Sequence, residues 1–324
     1  MKEIQKNSEK KLSIAMVYRK YGIFLILVVM FIVAFLLNHN FIKSANLINI
    51  LKQITPFTII AAAETMLIVS GCIDLSAGTV TALSACTAAG TLVATDSLAL
   101  CFIVGMGVGA ICGYVNGTLV TRFKLPPFIA TLAVMNVAEG ITYIYTGGAT
   151  IKGVEKLRWL SQGRLFAVLP YLILLMAFVL VVIQLIMKKT KFGLYMYAIG
   201  GNKQASIAAG INVGRNIRLT YVLSGALVGL AGIAITARMM SGQSMVGPGY
   251  EFDAITATIV GGTSFNGGVG SMFCVIMGGI IIGIINNIMI LMGVDSNWQL
   301  VVKGMLIAIA VILDIQTKGD KKSA

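Results

Sequence analysis

Long apolar runs without charge are the feature that most limits how this chain can fold. Residues 98–121, for example, contain no Asp, Glu, Lys or Arg, and a helix needs roughly 20 apolar residues to cross the hydrocarbon core of a bilayer. Only 11% of the residues are charged, and 57% are hydrophobic, whereas a soluble domain has about 25% charged residues. We therefore predict an all-α, polytopic membrane protein rather than a soluble protein with a very large core.

The apolar runs predict about ten membrane spans, some of them short or broken. They cover residues 22–37, 54–70, 76–94, 98–121, 127–146, 166–187, 217–238, 252–263, 270–292 and 298–315. The run at 252–263 is too short to cross a bilayer alone, because a helix rises only about 1.5 Å per residue.

Basic residues predict the orientation of these spans. The formal net charge of +13 would suit nucleic acid or anionic lipid, but the basic residues cluster between apolar runs, which is typical of cytoplasmic loops facing lipid. We expect a basic cytoplasmic N-terminus (1–21), a transmembrane domain (22–315) with cytoplasmic loops at 122–126 and 188–216, and a cytoplasmic tail (316–324). Even numbers of spans separate these basic segments. The presumed external loop 147–165, with four basic residues, is a contrary signal.

The sequence offers no chemistry for an enzyme of its own. His39 is the only histidine, and the five cysteines lie in apolar runs without a metal-binding spacing, so we predict no metal site. No Gly-Lys dipeptide occurs, so the phosphate-binding loop of P-loop ATPases is missing.

Two glycine-rich segments interrupt the apolar pattern and suggest two related halves. They are VSGCIDLSAGTV (69–80) and VGGTSFNGGVGS (260–271). Paired interruptions of this kind often mark a translocation site. Asp74, in the first segment, is costly at membrane depth. It either caps the span that follows or faces a polar pathway, and the two roles are compatible.

Five motifs in order carry a resemblance that extends over residues 20–315. They are GCIDLSAG (71–78), KLPPFIATL (124–132) after Asn116 and Gly117, TKFGLYMYAIGGNKQASIAAGINV (190–213), YEFDAITATIVGGTSFNGGVGS (250–271) and WQLVVKG (298–304). The chain resembles the permeases of ribose-type ABC importers. It departs from their usual pattern at Glu64, Cys72 and Ala77.

The resemblance implies a membrane subunit in the bacterial cytoplasmic (inner) membrane. It would form the translocation pathway for a monosaccharide or related small polar solute. Expected partners are a cytoplasmic ATP-binding subunit, which would bind the ATP, an extracytoplasmic solute-binding protein, and a second permease copy or paralogue. No cofactor is expected on this chain, and no nucleic acid.

The residues expected to serve these roles fall into three groups. The pathway residues would be Thr65, Asp74, Ser76, Asn116, Phe128, Thr131, Asn136, Thr263 and Ser264. The segment docking to the ATP-binding subunit would include Gly200, Gly201, Asn202, Ala205, Ala208, Ala209 and Gly210, since small residues at helical spacing give a smooth surface and Gly210 suits a helix end. Glu251 and Asp253 would contact the binding protein, or only favour a helix N-terminus.

The span at 98–121 has a face of small residues, and two alternative functions also need to be weighed. Gly105, Gly109 and Gly113 repeat every four residues, which predicts a close helix–helix contact. An ion-coupled secondary transporter, with Glu64 and Asp74 as ion ligands, is the alternative function, but it leaves 190–218 unexplained. A scaffold or lipid-binding protein explains none of the ordered motifs.

Overall fold

The protein is a bundle of helices. The computed structural model describes residues 23–166 and 168–319. The predicted N-terminal segment 1–21 and residues 320–324 of the predicted tail lie outside the described residues. The helices are α1 (Ile23–Leu37), α2 (Ser44–Val69), α3 (Ala77–Thr95), α4 (Leu98–Thr121), α5 (Pro127–Thr146), α6 (Arg158–Gln162), α7 (Tyr171–Lys189), α8 (Lys191–Gly201), α9 (Lys203–Ala208), α10 (Val213–Met239), α11 (Tyr250–Val260), α12 (Met272–Leu291) and α13 (Ser296–Gly319).

Short elements fill the connections between the helices. Two 3-10 helices lie at His39–Ile42 and Glu155–Leu157, and strands β1 (Arg164–Leu165) and β2 (Leu169–Pro170) form a small antiparallel hairpin. Ile151 forms an isolated bridge with Gly242. The presumed external loop is therefore partly structured and is tied to the segment that follows α10.

Six described helices are long and apolar enough to cross a membrane by length and composition: α3, α4, α5, α7, α10 and α12. This finding supports an all-α polytopic membrane protein. A helix lies at each of the ten predicted spans, but α1 is only 15 residues long and α11 only 11. The count of ten spans is therefore not confirmed.

Helices α2 and α10 form the centre of the bundle. Every residue of α2 from Ile54 to Val69 is buried, as is every residue of α10 from Leu227 to Ala237. The sequence explains this burial, because apart from Glu64 these stretches are apolar or small on every side, and a helix that is apolar all round belongs in an interior. Helices α3, α4, α7, α11 and α12 pack around this pair.

The predicted glycine face of α4 is confirmed as a close crossing with α10. A Cβ atom on Gly109 would overlap the carbonyl oxygen of Gly225, and one on Gly113 would overlap that of Tyr221. The contact is reciprocal, because a Cβ on Gly225 would overlap the carbonyl oxygen of Gly109. Backbone therefore meets backbone here, as small residues allow between membrane helices.

Candidate functional site

The two glycine-rich segments of the sequence meet in the interior. The first connects α2 to α3, and Gly71, with a φ of +76°, lies just past the end of α2. The second connects α11 to α12 and contains Gly262, Gly267 and Gly268 at positive φ. The amide of Gly268 donates to the carbonyl oxygen of Val69 at 2.9 Å. Both predicted helix interruptions are thus confirmed, and they touch.

Asp74 organises the first of these segments. Its Oδ1 accepts hydrogen bonds from the amide of Ser76 at 2.8 Å and from the Ser76 hydroxyl at 2.5 Å. The Nδ2 of Asn116, on α4, donates to both carboxylate oxygens of Asp74 at 3.3 and 3.4 Å and to Ser76 Oγ at 2.9 Å. Three residues that were separate candidates in the sequence therefore form one hydrogen-bonded group.

The hydrogen bonds of Asp74 show whether its side chain caps α3 or stabilises the turn before it. A capping side chain normally accepts from an amide inside the first helical turn, but Asp74 accepts from Ser76, which precedes the first helical residue of α3. Asp74 therefore fixes the turn that leads into α3 rather than capping the helix itself. Asp74 as a whole is only 3% exposed.

Glu64 adds a second buried carboxyl group beside Asp74. Its Oε2 accepts from the amide of Asp74 at 3.4 Å, and its Oε1 has no hydrogen-bond partner among the described residues. Glu251 lies nearby, since a Cβ on Gly78 would overlap its Oε2. We call Glu64, Asp74, Ser76 and Asn116 the polar cluster.

Burial of the polar cluster is unfavourable in free energy. Neither carboxylate in it forms an ion pair within the described part of the chain, and Asn116 Oδ1 also has no partner there. Buried polar atoms without partners cost free energy, and ionisable groups within membrane helices usually mark a pathway or a functional site. The cluster is therefore the strongest candidate site in the bundle.

Other predicted pathway residues lie apart from the polar cluster. Thr65 Oγ1 bonds to Ala61 O at 2.7 Å and approaches Thr258 Oγ1, on α11, at 3.3 Å. Thr263 and Ser264 are buried in the second glycine-rich segment. Thr65 thus lies where α2 meets α11, and Thr263 and Ser264 lie in the segment that follows α11.

The predicted residues of α5 are not brought into the cluster. Thr131 is buried and bonds to Pro127 O within its own helix at 2.9 Å. Phe128 is 52% exposed, and Asn136 is exposed and donates to Leu132 O at 2.8 Å. The structure thus places these two side chains on the outer surface of the bundle.

The segment after α7 has the local structure that the sequence predicted. Asn202 caps α9 by accepting from the amide of Ala205 at 2.9 Å, and Gly210 follows the helix with a φ of +78°. From Gly201 to Gly210 only Ser206 is buried. The exposed small residues Ala205, Ala208 and Ala209 thus form a low surface, which we call the docking surface together with Gly201, Asn202 and Gly210.

Glu251 and Asp253 do not lie where a contact with a binding protein would need them. They are 5% and 4% exposed. Glu251 accepts from the amide of Gly249 at 3.0 and 3.1 Å, and Asp253 pairs with Lys303 at 2.8 Å. Both carboxylates belong to the first turn of α11, which fits the alternative role at a helix N-terminus.

Two interactions at the site were not identified from the sequence. The Tyr221 hydroxyl donates to Ile73 O at 2.8 Å, and Lys303 neutralises Asp253. An ion pair of Lys303 could have been predicted, because a single cation in the apolar run of α13 needs a buried partner of opposite charge. Nothing in the sequence distinguishes Tyr221 from the other tyrosines.

Comparison with known proteins agrees with the sequence motifs. The family described as "Branched-chain amino acid transport system / permease component" matches residues 46–311. The ribose import permease protein RbsC of Bacillus subtilis is 41% identical over 98% of this chain and 97% of its own length. RbsC of Escherichia coli is 36% identical over 89% of this chain and 91% of its own.

The galactose/methyl galactoside import permease protein MglC of Escherichia coli is 35% identical over 93% of this chain and 95% of its own length. No solved structure matches. The resemblance seen in the sequence is confirmed, and the chain belongs to the family of ribose-type ABC importer permeases, multi-pass proteins of the inner membrane.

Proposed function

We propose that this chain is the membrane subunit through which an ABC importer passes a monosaccharide or related small polar solute. The observation that carries the proposal is the exposed docking surface on α9, which sits in a bundle that matches sugar import permeases along nearly its full length. An ion-coupled transporter would have no use for such a surface.

Three partners follow from this role. A separate cytoplasmic subunit would bind and hydrolyse ATP, an extracytoplasmic protein would deliver the solute, and a second permease copy or paralogue would complete the pathway. The N- and C-termini and the docking surface would then face the cytoplasm, in agreement with the basic residues around α8 and α9.

A monosaccharide is favoured over a branched-chain amino acid as the solute. The family description names amino acid transport, but the relatives at 35–41% identity are ribose, fructose and galactose import permeases. The polar cluster also supports a polyhydroxylated solute. A carboxylate such as that of Asp74 accepts hydrogen bonds from hydroxyls, and an amide such as that of Asn116 both accepts from hydroxyls and donates to them.

The test of this function is uptake by proteoliposomes that contain the permease, its ATP-binding subunit and its binding protein. We expect ATP-dependent uptake of labelled ribose or galactose, but not of leucine. Uptake that persists without ATP and collapses with an ionophore would instead indicate an ion-coupled transporter.

The docking surface has its own test. Gly201→Arg or Ala208→Glu would place a large or charged side chain on the exposed surface, and we expect co-purification of the ATP-binding subunit to weaken more than tenfold, which corresponds to about 1.4 kcal/mol. Ala149→Glu, at an exposed position outside this segment, is the matched control and should leave co-purification unchanged. Full co-purification with Gly201→Arg would refute the docking assignment.

A further inference from the structure

The C-terminal end of α8 contacts both glycine-rich segments. A Cβ on Gly200 would overlap the carbonyl oxygen of Val69, at the end of α2, and would lie 2.7 Å from the amide nitrogen of Gly268. From the other side, a Cβ on Gly267 would lie 2.8 Å from the carbonyl oxygen of Gly200. We call Val69, Gly200, Gly267 and Gly268 the glycine junction.

The sequence predicted a different position for Gly200. The sequence placed Gly200 among the residues that dock to the ATP-binding subunit, but in the structure a Cβ atom on Gly200 would point toward Val69 and Gly268. The next residue differs, since a Cβ on Gly201 would meet no atom within 4 Å. The helix α8 therefore turns from an exposed surface to an interior contact within one residue.

Hydrogen bonds also connect α7 and α8 to the second glycine-rich segment, between α11 and α12. The Tyr197 hydroxyl, on α8, donates to Gly270 O at 2.7 Å. The Gln184 side chain, on α7, accepts from the amide of Met272 at 2.9 Å, at the first residue of α12. Gln184 of α7 and Tyr197 of α8 thus hold the segment between α11 and α12 at two points.

We propose that the glycine junction is the mechanical link that carries movement of the docking surface to both interrupted segments at once. This inference rests on the function proposed above. Backbone atoms in contact cannot yield by changing rotamer, and close-packed interiors shift between discrete arrangements rather than deform. A displacement of α9 reaches α8 through Asn202 and then moves Val69 and Gly268 together. Gly200 and Tyr197 are therefore positioning residues for transport.

The experiment compares Gly200→Ala with Gly107→Ala in the reconstituted importer. Gly107 also lies in a helix, but a Cβ there would meet no atom within 4 Å. Three quantities are measured: co-purification of the ATP-binding subunit, ATP hydrolysis, and solute transported per ATP hydrolysed. For Gly200→Ala we expect co-purification within about twofold of the parent, and transport per ATP lowered by about tenfold or more. Gly107→Ala should match the parent in all three.

A hydroxyl deletion keeps the proposal testable if Gly200→Ala does not accumulate. Tyr197→Phe removes only the hydrogen bond to Gly270, and we expect transport per ATP to fall severalfold with assembly intact. Tyr195→Phe, on the same helix and without a hydrogen bond from its hydroxyl among the described residues, is the control. A purely structural role would lower the amount of assembled complex but not the ratio of transport to hydrolysis.

The outcomes separate this inference from the proposed function. Normal transport per ATP in both Gly200→Ala and Tyr197→Phe would overturn the glycine junction, provided that Gly201→Arg still weakens co-purification. If Gly201→Arg has no effect on co-purification or uptake, the docking assignment itself is wrong, and the inference falls with it.

Discussion

The crossing of α4 and α10 gives the sharpest quantitative prediction. Gly109→Ala would place a methyl group onto the carbonyl oxygen of Gly225 and 2.9 Å from the amide nitrogen of Gly229. Both neighbours are backbone atoms of a buried helix, so no rotamer change can make room for the methyl group. The two helices have to separate or bend, and the contacts on both sides of the crossing loosen.

The cost follows from two terms of opposite sign. Overpacking a well-packed interior costs about 1–3 kcal/mol, while replacing glycine by alanine inside a helix gains about 0.5–1 kcal/mol. Gly107→Ala, two residues away on the same helix, carries only the second term, because its Cβ would meet nothing. Since the gain is common to both variants, the difference between them isolates the crossing, and we expect about 1–3 kcal/mol.

The assay is reversible unfolding of the purified permease in mixed micelles as the fraction of denaturing detergent is raised, followed by circular dichroism. Gly109→Ala should unfold at a lower denaturant fraction than the parent, and Gly107→Ala at an equal or higher one. Gly225→Ala, which approaches the same contact from α10, should resemble Gly109→Ala. Equal stability of Gly107→Ala and Gly109→Ala would refute the description of this crossing.

Further variants test the site and the orientation. Asp74→Asn keeps an acceptor for the Ser76 amide, so we expect normal membrane levels with reduced uptake, whereas Asp74→Leu should assemble poorly; full uptake by the leucine variant would contradict any role for the carboxylate. Lys303→Met leaves Asp253 buried without a cation and should cost up to about 3 kcal/mol in the micelle assay, and Asp253→Asn in the same chain should recover most of it; no recovery would argue against the ion pair. In a cysteine-free background, a cysteine at Lys203 should resist an impermeant thiol reagent in intact cells and one at Lys152 should react, and labelling of the first from outside would overturn the predicted orientation.

Helix positions could be predicted well where the sequence marks their ends. The spans predicted at 98–121 and 127–146 coincide with α4 and α5, because Ser97 caps the first by accepting from Leu100 and a proline begins the second. The span predicted at 54–70 begins ten residues too late, since α2 starts at Ser44. Hydropathy detects the apolar part of a helix, whereas the backbone hydrogen bonds continue into the polar stretch before it.

The site could be predicted as a set of residues but not as an arrangement. Asp74 was identified by its charge within an apolar run, and Ser76 and Asn116 as pathway residues implied by the resemblance; the structure joins all three through one carboxylate. Residue type says nothing of burial or partner, however. Glu251 and Asp253 read as surface acids near an external loop, but Gly249 and Lys303 satisfy them inside the bundle.

The polar cluster and the glycine junction share one helix, and this bears on why the buried carboxylates persist. Glu64 precedes Val69 on α2 by five residues, or about 7.5 Å of helix, and Asp74 follows Val69 by five along the chain. Apolar residues at these two positions would remove the buried acceptor that has no partner and would thereby stabilise the fold. Stability alone therefore does not account for the carboxylates. A movement delivered to Val69 by Gly200 reaches both of them directly, through the last turns of α2 on one side and the turn fixed by Ser76 on the other. The costly groups thus lie where a displacement of α8 would change their hydrogen bonds.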